Sequence, residues 1–357
     1  GLFVLPSLFM LVGLSWVYIA YGDVAWVAGI FYGIKPAVTA IVVQAAHRIG
    51  SRALKNGALW AIAAASFVAI FALQLPFPLI VLSAAAIGWA GGRWAPQWFQ
   101  LGGGHGAAKA SQGQTLIDDN TPTPAHALFR WSRLGVVVAS GAALWALPMG
   151  WLSLQFGWDH TLTQMGWFFT KAALLTFGGA YAVLPYVFQG AVGHYGWLTP
   201  TQMMDGLALG ETTPGPLIMV VAFVAFVGGW QTQVLGPDAL LAGAVLAAVV
   251  VTWFTFLPSF VFILAGGPLV ESTHGQMKFT APMTAITAAV VGVIASLAVF
   301  FLKHVAWPTP QAPLDLAGLA LAVVAGVALI RFKQGVIPVI LACALAGWAL
   351  KSLGWAA

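Results

Sequence analysis

The sequence predicts an all-α polytopic membrane protein, with about 11 transmembrane helices in two inverted homologous repeats of which the first is incomplete. Of its 357 residues, 61% are hydrophobic and only 6% are charged, against roughly 25% charged in an average soluble domain. Apolar runs of about 20 residues, the length that spans a hydrocarbon core, recur along the whole chain. These runs are long and do not alternate with polar residues, which favours helices over a barrel.

The apolar runs fall into two groups, separated by a polar stretch. Residues 101–126 are rich in Gly, Gln, Thr and Pro, the composition of a flexible linker. Arg93, Arg130 and Arg133 flank this stretch, which predicts that it is cytoplasmic. The predicted spans are 1–20, 24–46, 57–75, 78–95, 134–157, 164–190, 205–232, 238–265, 280–303, 313–331 and 335–354.

An internal repeat is predicted by three pairs of similar segments that occur in the same order and at nearly constant offset. The pairs are 4–11 with 256–264, 34–42 with 286–294, and 78–90 with 338–349. At this offset Gly1 pairs with Trp253, and residues 164–252 have no partner. We therefore expect a truncated start, with roughly 85 further residues, or about two spans, before Gly1.

The basic loops predict that the two repeats lie oppositely in the membrane. Basic residues cluster from His47 to Lys55 in the first repeat, whereas the second has Arg331 and Lys333 in a loop that corresponds to the uncharged loop of the first repeat at Pro76–Pro78. Inverted repeats are a recurring construction of secondary transporters. The predicted organisation is 1–100 for the C-terminal part of the first repeat, 101–133 for the linker, 134–160 for an extra connecting helix, and 161–357 for the second repeat.

Composition and motifs exclude several classes of function. The net charge of +5 is small and scattered, so we expect no nucleic-acid partner. Cys343 is the only cysteine and is predicted to be a small core residue, while His47, His194 and His304 lack the paired spacing of a metal site. The absence of hydrolase and Walker A motifs predicts a protein that is not an enzyme, has no cofactor, and draws energy from ion gradients or the membrane potential.

The run 205–232 contains residues that break a helix. Pro214 and Pro216 each remove a backbone donor and clash with the preceding turn, and Gly215 between them tolerates unusual conformations. We predict a broken helix whose second half begins near Pro216, with free N–H groups and a positive dipole end at membrane depth. Such an end binds anions; the alternative is a simple kink whose backbone groups neighbouring helices satisfy.

Charged and hydroxyl side chains next to this break predict a polar site. Glu211 costs about 2.5–3.5 kcal/mol at the centre of a membrane helix, so it needs a partner or a role, unless it lies at the solvated interface. Thr212 and Thr213 are candidate hydroxyl donors to an anion. Lys171 lies early in its span and either faces the substrate or extends to the interface.

Two further features precede the break. Phe177, Gly178 and Gly179 permit close backbone approach of another helix or of a ligand. Asp205 lies near the start of its predicted span, and we interpret it as a solvated or helix-capping residue.

The residues around these glycines and prolines resemble the chromate ion transporter family of bacteria, in its long two-domain type. The residues that carry the resemblance are Phe177, Gly178, Gly179, Pro185, Gly206, Glu211, Pro214, Gly215, Pro216 and Gly228. The resemblance implies two homologous, oppositely oriented membrane domains joined by an extra helix, and export of chromate from the cytoplasm. Long members carry Phe-Gly-Gly and Pro-Gly-Pro in the first domain too; here neither occurs before Phe177, which agrees with the expected truncation.

From these observations we expect a secondary transporter that exports chromate across the bacterial inner membrane and so confers chromate resistance. The expected partners are chromate, sulfate as a weaker competitor, and the lipid bilayer, with a homodimer as a possible assembly. One alternative is a permease for sulfate or another oxyanion or organic anion, because the break supplies dipoles rather than chromium-specific chemistry. Another is a membrane-embedded enzyme or assembly subunit, against which the lack of paired catalytic groups argues.

Overall fold

The computed structural model describes residues 3–22, 24–99, 130–176, 180–272, 280–308 and 313–354, and within these ranges it contains helices and no strands. The helices are α1 (Leu5–Tyr21), α2 (Ala25–Ala53), α3 (Gly57–Phe71), α4 (Phe77–Trp94), α5 (Pro96–Phe99), α6 (Trp131–Phe156), α7 (Thr161–Leu174), α8 (Ala180–Phe188), α9 (Pro200–Thr212), α10 (Val220–Gln231), α11 (Leu240–Ser272), α12 (Thr280–Ala306), α13 (Leu316–Ile330) and α14 (Val336–Ser352). A π-helical turn (Gln189–His194) extends α8, and 3₁₀ turns (Leu217–Met219 and Pro237–Ala239) precede α10 and α11.

Many large apolar side chains lie on the outside of the molecule. On α6, for example, Leu147 is 72% and Leu154 is 90% exposed. Four helices of the described ranges are long and apolar enough to cross a membrane: α2, α6, the segment Pro237–Gly266 that contains most of α11, and α12. Lipid chains are as apolar as leucine, so such surfaces are stable in a bilayer. The predicted class, an all-α polytopic membrane protein, is confirmed.

The region predicted as a span at 205–232 is instead a helical hairpin. Gly206 on α9 contacts Phe223 on α10, and Gly210 contacts Val220, so residues further along α9 contact residues earlier in α10. In one continuous helix Gly206 and Phe223 would be about 25 Å apart. The predicted helix break is confirmed, and the contacts show that the chain also reverses there. With 13 residues, α9 is only about 20 Å long, too short for a hydrocarbon core of about 30 Å.

The predicted span at 164–190 is a second hairpin, made of α7 and α8. The rings of Phe168 and Tyr186 stack with their centroids 4.8 Å apart, and a Cβ at Gly190 would overlap the Phe168 ring. These residues again pair across a reversal of the chain. The interpretation of 164–190 as a single crossing helix was therefore wrong, because hydropathy reports apolar content and not chain direction.

Two long helices, α2 and α12, form the centre of the molecule, and each packs against a pair of helices from the other end of the chain. A Cβ at Gly33 on α2 would overlap the backbone of Cys343 on α14, and one at Gly88 on α4 would overlap that of Ala281 on α12. Cys343 is buried there, as predicted. Close backbone approach at small residues is the usual way in which membrane helices associate.

The glycine contacts relate the two halves of the chain. Gly347 on α14 meets Gly29 and Gly33, whereas Gly88 on α4 meets Ala281 and Ala285. In the segment pairs found in the sequence Gly88 aligns with Gly347, and continuing the offset of the pair 34–42 with 286–294 aligns the two alanines with the two glycines of α2. The packing agrees with the predicted repeat, which itself stays a prediction.

Candidate functional site

The tip of the α9–α10 hairpin is held by the start of α1. Ser7, which is 1% exposed, donates its hydroxyl proton to the carbonyl oxygen of Pro214 over 2.6 Å. Gly215 has a φ of +142°, and a Cβ there would overlap the Ser7 hydroxyl. Only glycine adopts this backbone conformation readily, and only glycine leaves room for the serine. Ser7 therefore fixes the conformation of the tip.

The tips of the two hairpins are joined by a polar contact. The Tyr181 hydroxyl, at the start of α8, donates to Oε1 of Glu211, at the end of α9. Arg48 on α2 lies close enough to Tyr181 to act on it electrostatically. Tyr181 thus supplies a hydrogen-bond partner to Glu211, whose position in the membrane stays a prediction.

The hydroxyl groups of the two threonines at the tip already donate hydrogen bonds to carbonyl oxygens of α9. Thr212 donates to the carbonyl oxygens of Ala208 and Leu209, each over 3.1 Å, and Thr213 donates to that of Leu209 over 2.7 Å. Bonds of this kind, from a hydroxyl to the carbonyl one turn back, are common for threonine in helices. In this conformation neither hydroxyl is offered as a donor to a bound anion.

Backbone donors are present where the second helix of the hairpin begins. Pro216 has no N–H group. The first N–H group that donates a hydrogen bond within this turn is that of Met219, to the Pro216 carbonyl oxygen over 2.9 Å. The N–H groups of Leu217 and Ile218 precede it. They are the donors that a helix start presents to an anion.

The remaining predicted site residues are not brought to the described tip. Lys171 on α7 is half-buried, and its Nζ lies 5.7 Å from the ring centre of Trp167, one turn back on the same helix. The structure shows no hydrogen bond or ion pair between Lys171 and Glu211. Phe177, Gly178 and Gly179 lie outside the described residues.

Asp205 corrects a prediction made from the sequence. The cap of α9 is Thr199, whose hydroxyl accepts from the N–H of Gln202, and whose own N–H is accepted by the Gln202 side chain. Asp205 is only 2% exposed and accepts from the Tyr18 hydroxyl over 2.9 Å. It is thus a buried carboxylate rather than a solvated or capping one, because helix packing places the first turns of α9 inside the protein.

Lys35 is a second residue that the sequence interpretation missed. It lies on α2 near Asp205 and beside a cavity that Asp205 also lines. The signal was present, because a lysine 11 residues inside the apolar run 24–46 is rare and is a functional candidate by default. Among the described residues, no group of three His, Cys, Asp or Glu side chains is placed to hold a metal ion.

The fold and the tips together define a class of protein. Short helices that break at membrane depth, with helix starts and polar side chains at the break, are typical of the substrate sites of secondary transporters. The chain belongs to the chromate transporter family, whose model matches residues 1–89 and 163–348. The unmatched interval between these segments contains the predicted linker and α6.

Three curated relatives are named as chromate transport proteins, one of them as a probable one. The chain is 33% identical over 352 residues to a chromate transport protein of Pseudomonas aeruginosa, and this match covers 97% of this chain and 73% of that protein. It is 28% identical to a chromate transport protein of Cupriavidus metallidurans, over 95% of this chain and 71% of the relative. A probable chromate transport protein of Synechococcus elongatus is 24% identical, over 83% and 63% respectively. No solved structure matches the chain significantly.

Proposed function

We propose that this protein is a secondary transporter that exports chromate across the bacterial inner membrane and thereby confers chromate resistance. Membership of the chromate transporter family and the names of its bacterial relatives support chromate as the substrate. The membrane potential is a sufficient source of energy, since a negative-inside cell favours the exit of an anion by about 2.3 kcal/mol per charge per 100 mV.

The observation that carries this proposal is the chain reversal at Thr213–Pro216, inside a hairpin too short to cross the membrane. Chromate would bind at this tip, where the N–H groups of Leu217 and Ile218 and the positive end of α10 stabilise an anion. Ser7 holds the tip in the required conformation through its bond to Pro214. Gly178 and its two neighbours, together with Lys171, stay predicted members of the site.

Glu211 would control the charge at the tip. Its bond with Tyr181 couples the two hairpins, so a change in the charge of Glu211 alters both the anion site and the contact between the tips. Removing a hydrogen bond to a charged group costs about 1.5–3 kcal/mol, which corresponds to roughly tenfold to a hundredfold in rate.

The orientation follows from the basic loops. We propose that the loop after α2 and the loop between α13 and α14 are cytoplasmic. Gln44, in the second half of α2, donates to the carbonyl oxygen of Leu329 near the end of α13 over 3.2 Å, which supports the two helices pointing to the same end of the molecule. Both hairpins then enter from the opposite, outer side. The division into 1–100, 101–133, 134–160 and 161–357 is proposed on the same grounds.

Chromate flux into everted membrane vesicles tests the function. We expect wild-type vesicles to accumulate chromate under an imposed potential, with sulfate as a weaker competitor. Glu211→Gln and Tyr181→Phe should each lower the rate roughly tenfold or more, whereas Tyr21→Phe, at an exposed tyrosine, should not.

Two outcomes would contradict this proposal. Movement of sulfate without chromate would favour the alternative of a permease for another oxyanion. A rate for Glu211→Gln that equals the wild-type rate at every pH would remove Glu211 from the mechanism.

A further inference from the structure

A second polar region lies apart from the hairpin tip, in a cavity of about 530 Å³ between α1, α2, α9, α10, α12, α13 and α14. Asp205 is part of its wall. The charged and titratable side chains that line it from the surrounding helices are Tyr18, Tyr32, Lys35, His304, Asp315 and Lys351. A charged cavity within an apolar protein is a candidate binding site.

Asp205 has an incomplete set of partners. Its Oδ2 accepts from Tyr18, but its Oδ1 is buried and has no hydrogen-bond partner. Lys35 is near enough to attract the carboxylate, yet no hydrogen bond joins the two side chains. A buried carboxylate oxygen without a donor is costly, and a bound proton removes the negative charge that accounts for most of this cost.

The other acid of the cavity is fully engaged. Asp315 caps α13 by accepting from the N–H of Gly318 over 2.8 Å, and it also accepts from the Tyr32 hydroxyl over 2.8 Å. The ring of His304 is tied to its own helix, with Nδ1 2.9 Å from the carbonyl oxygen of Phe300. Asp315 and His304 therefore have structural bonds, and Asp205 is the carboxylate free to change its protonation.

The balance of charge in the cavity depends on Asp205. With both aspartates ionised, Lys35 and Lys351 are balanced. A proton on Asp205 leaves an excess of one positive charge and releases Lys35 from its attraction to the carboxylate. An anion is then favoured in a site that previously opposed it.

We propose that this cavity is an oxyanion-binding site in which Lys35 contacts the anion and a proton on Asp205 promotes its binding. The inference rests on the proposed transport of chromate. It adds a second anion-binding site on the transport path, about 9 Å along α9 from Glu211. Binding of the proton and of the anion are then linked, and each strengthens the other by the same factor.

Chromate binding to the purified full chain in lipid nanodiscs, measured across neutral and alkaline pH, tests this proposal. The comparison is between wild type and Asp205→Asn, because the titration of chromate itself is common to both and cancels in their ratio of affinities. We expect similar affinities at the acid end and a wild-type affinity about tenfold weaker at the alkaline end, within the usual range of coupling. Lys35→Gln should weaken binding at every pH.

Matched controls are Asp238→Asn and Lys303→Gln, two exposed residues outside the cavity. The proposal is overturned if the ratio of wild type to Asp205→Asn is constant with pH, or if Lys35→Gln binds like Lys303→Gln. Should Asp205→Asn fail to fold, the wild type still decides: at alkaline pH, where chromate is wholly a dianion, binding must take up protons, and no uptake refutes the proposal. A wild type that neither binds nor transports chromate overturns the proposed function as well.

Discussion

At the scale of single residues, the bond from the Ser7 hydroxyl to the Pro214 carbonyl oxygen joins the start of α1 to the tip of the α9–α10 hairpin. We expect Ser7→Ala to lower the free energy of unfolding by about 1–3 kcal/mol, because the Pro214 carbonyl loses its donor in a buried place. Chromate uptake should fall as well, since the tip is no longer fixed. Thermal melting in detergent and vesicle flux measure the two effects.

Ser83→Ala is the matched control for Ser7→Ala. Ser83 is exposed and donates to the carbonyl oxygen of Leu79 in its own helix over 2.7 Å, so its loss breaks no contact between elements. If the two variants had the same melting temperature and the same flux, Ser7 would not hold the tip.

The site could be predicted from the sequence only where a residue is unusual in itself. Glu211 and Pro214 are conspicuous because membrane helices rarely contain charges or paired prolines. Ser7 and Tyr181 are ordinary residues whose role comes from a partner; Ser7 is 207 positions from Pro214. The interpretation of Asp205 was wrong for the same reason, since its hydrogen-bond partner Tyr18 is 187 positions away in the sequence.

At the scale of helices, composition predicted that the apolar segments are helical, and it failed on their direction. The run 205–232 is long enough for a span, but the run divides at Pro214 into helices of 13 and 12 residues. Whether a proline kinks a helix or reverses the chain depends on what the two halves pack against. Here Gly206 lets the ring of Phe223 lie against α9, which stabilises the reversal.

The crossing of α2 and α14 provides a test at this scale. A Cβ at Gly33 would overlap backbone atoms of Cys343 and Gly347, so Gly33→Ala must separate the helices and should destabilise the protein by about 1–3 kcal/mol. Gly13→Ala on α1 is the control, because nothing lies within 4 Å of its Cβ position. That change should be neutral or slightly stabilising, since alanine favours a helix by up to about 1 kcal/mol over glycine.

Size-exclusion profiles and melting temperatures in detergent compare the two alanine variants. Equal behaviour would show that the approach of α2 and α14 is looser than described. A loss confined to Gly33→Ala supports packing through glycine at the centre of the molecule.

At the scale of the whole molecule, the central helices α2 and α12 run in opposite directions. Tyr32, near the start of α2, bonds to Asp315, just beyond the end of α12. Together with the hairpins, this arrangement places the cavity beside Lys35 at the end of the protein opposite the basic loops. If these loops are cytoplasmic, the cavity opens to the outside, and under the proposed export chromate would pass the hairpin tip before it reaches Asp205.

Labelling of single cysteines from either side of the membrane tests this arrangement, in a chain whose own Cys343 is buried and is replaced by alanine. His194 and Asp238 flank the α9–α10 hairpin and are exposed. We expect an impermeant thiol reagent to reach His194→Cys and Asp238→Cys from outside intact cells, and Lys55→Cys and Lys333→Cys only from the cytoplasmic side. A single crossing helix at 205–232 would instead place positions 194 and 238 on opposite faces, and labelling of Lys55→Cys and Lys333→Cys from different faces would contradict the proposed inversion.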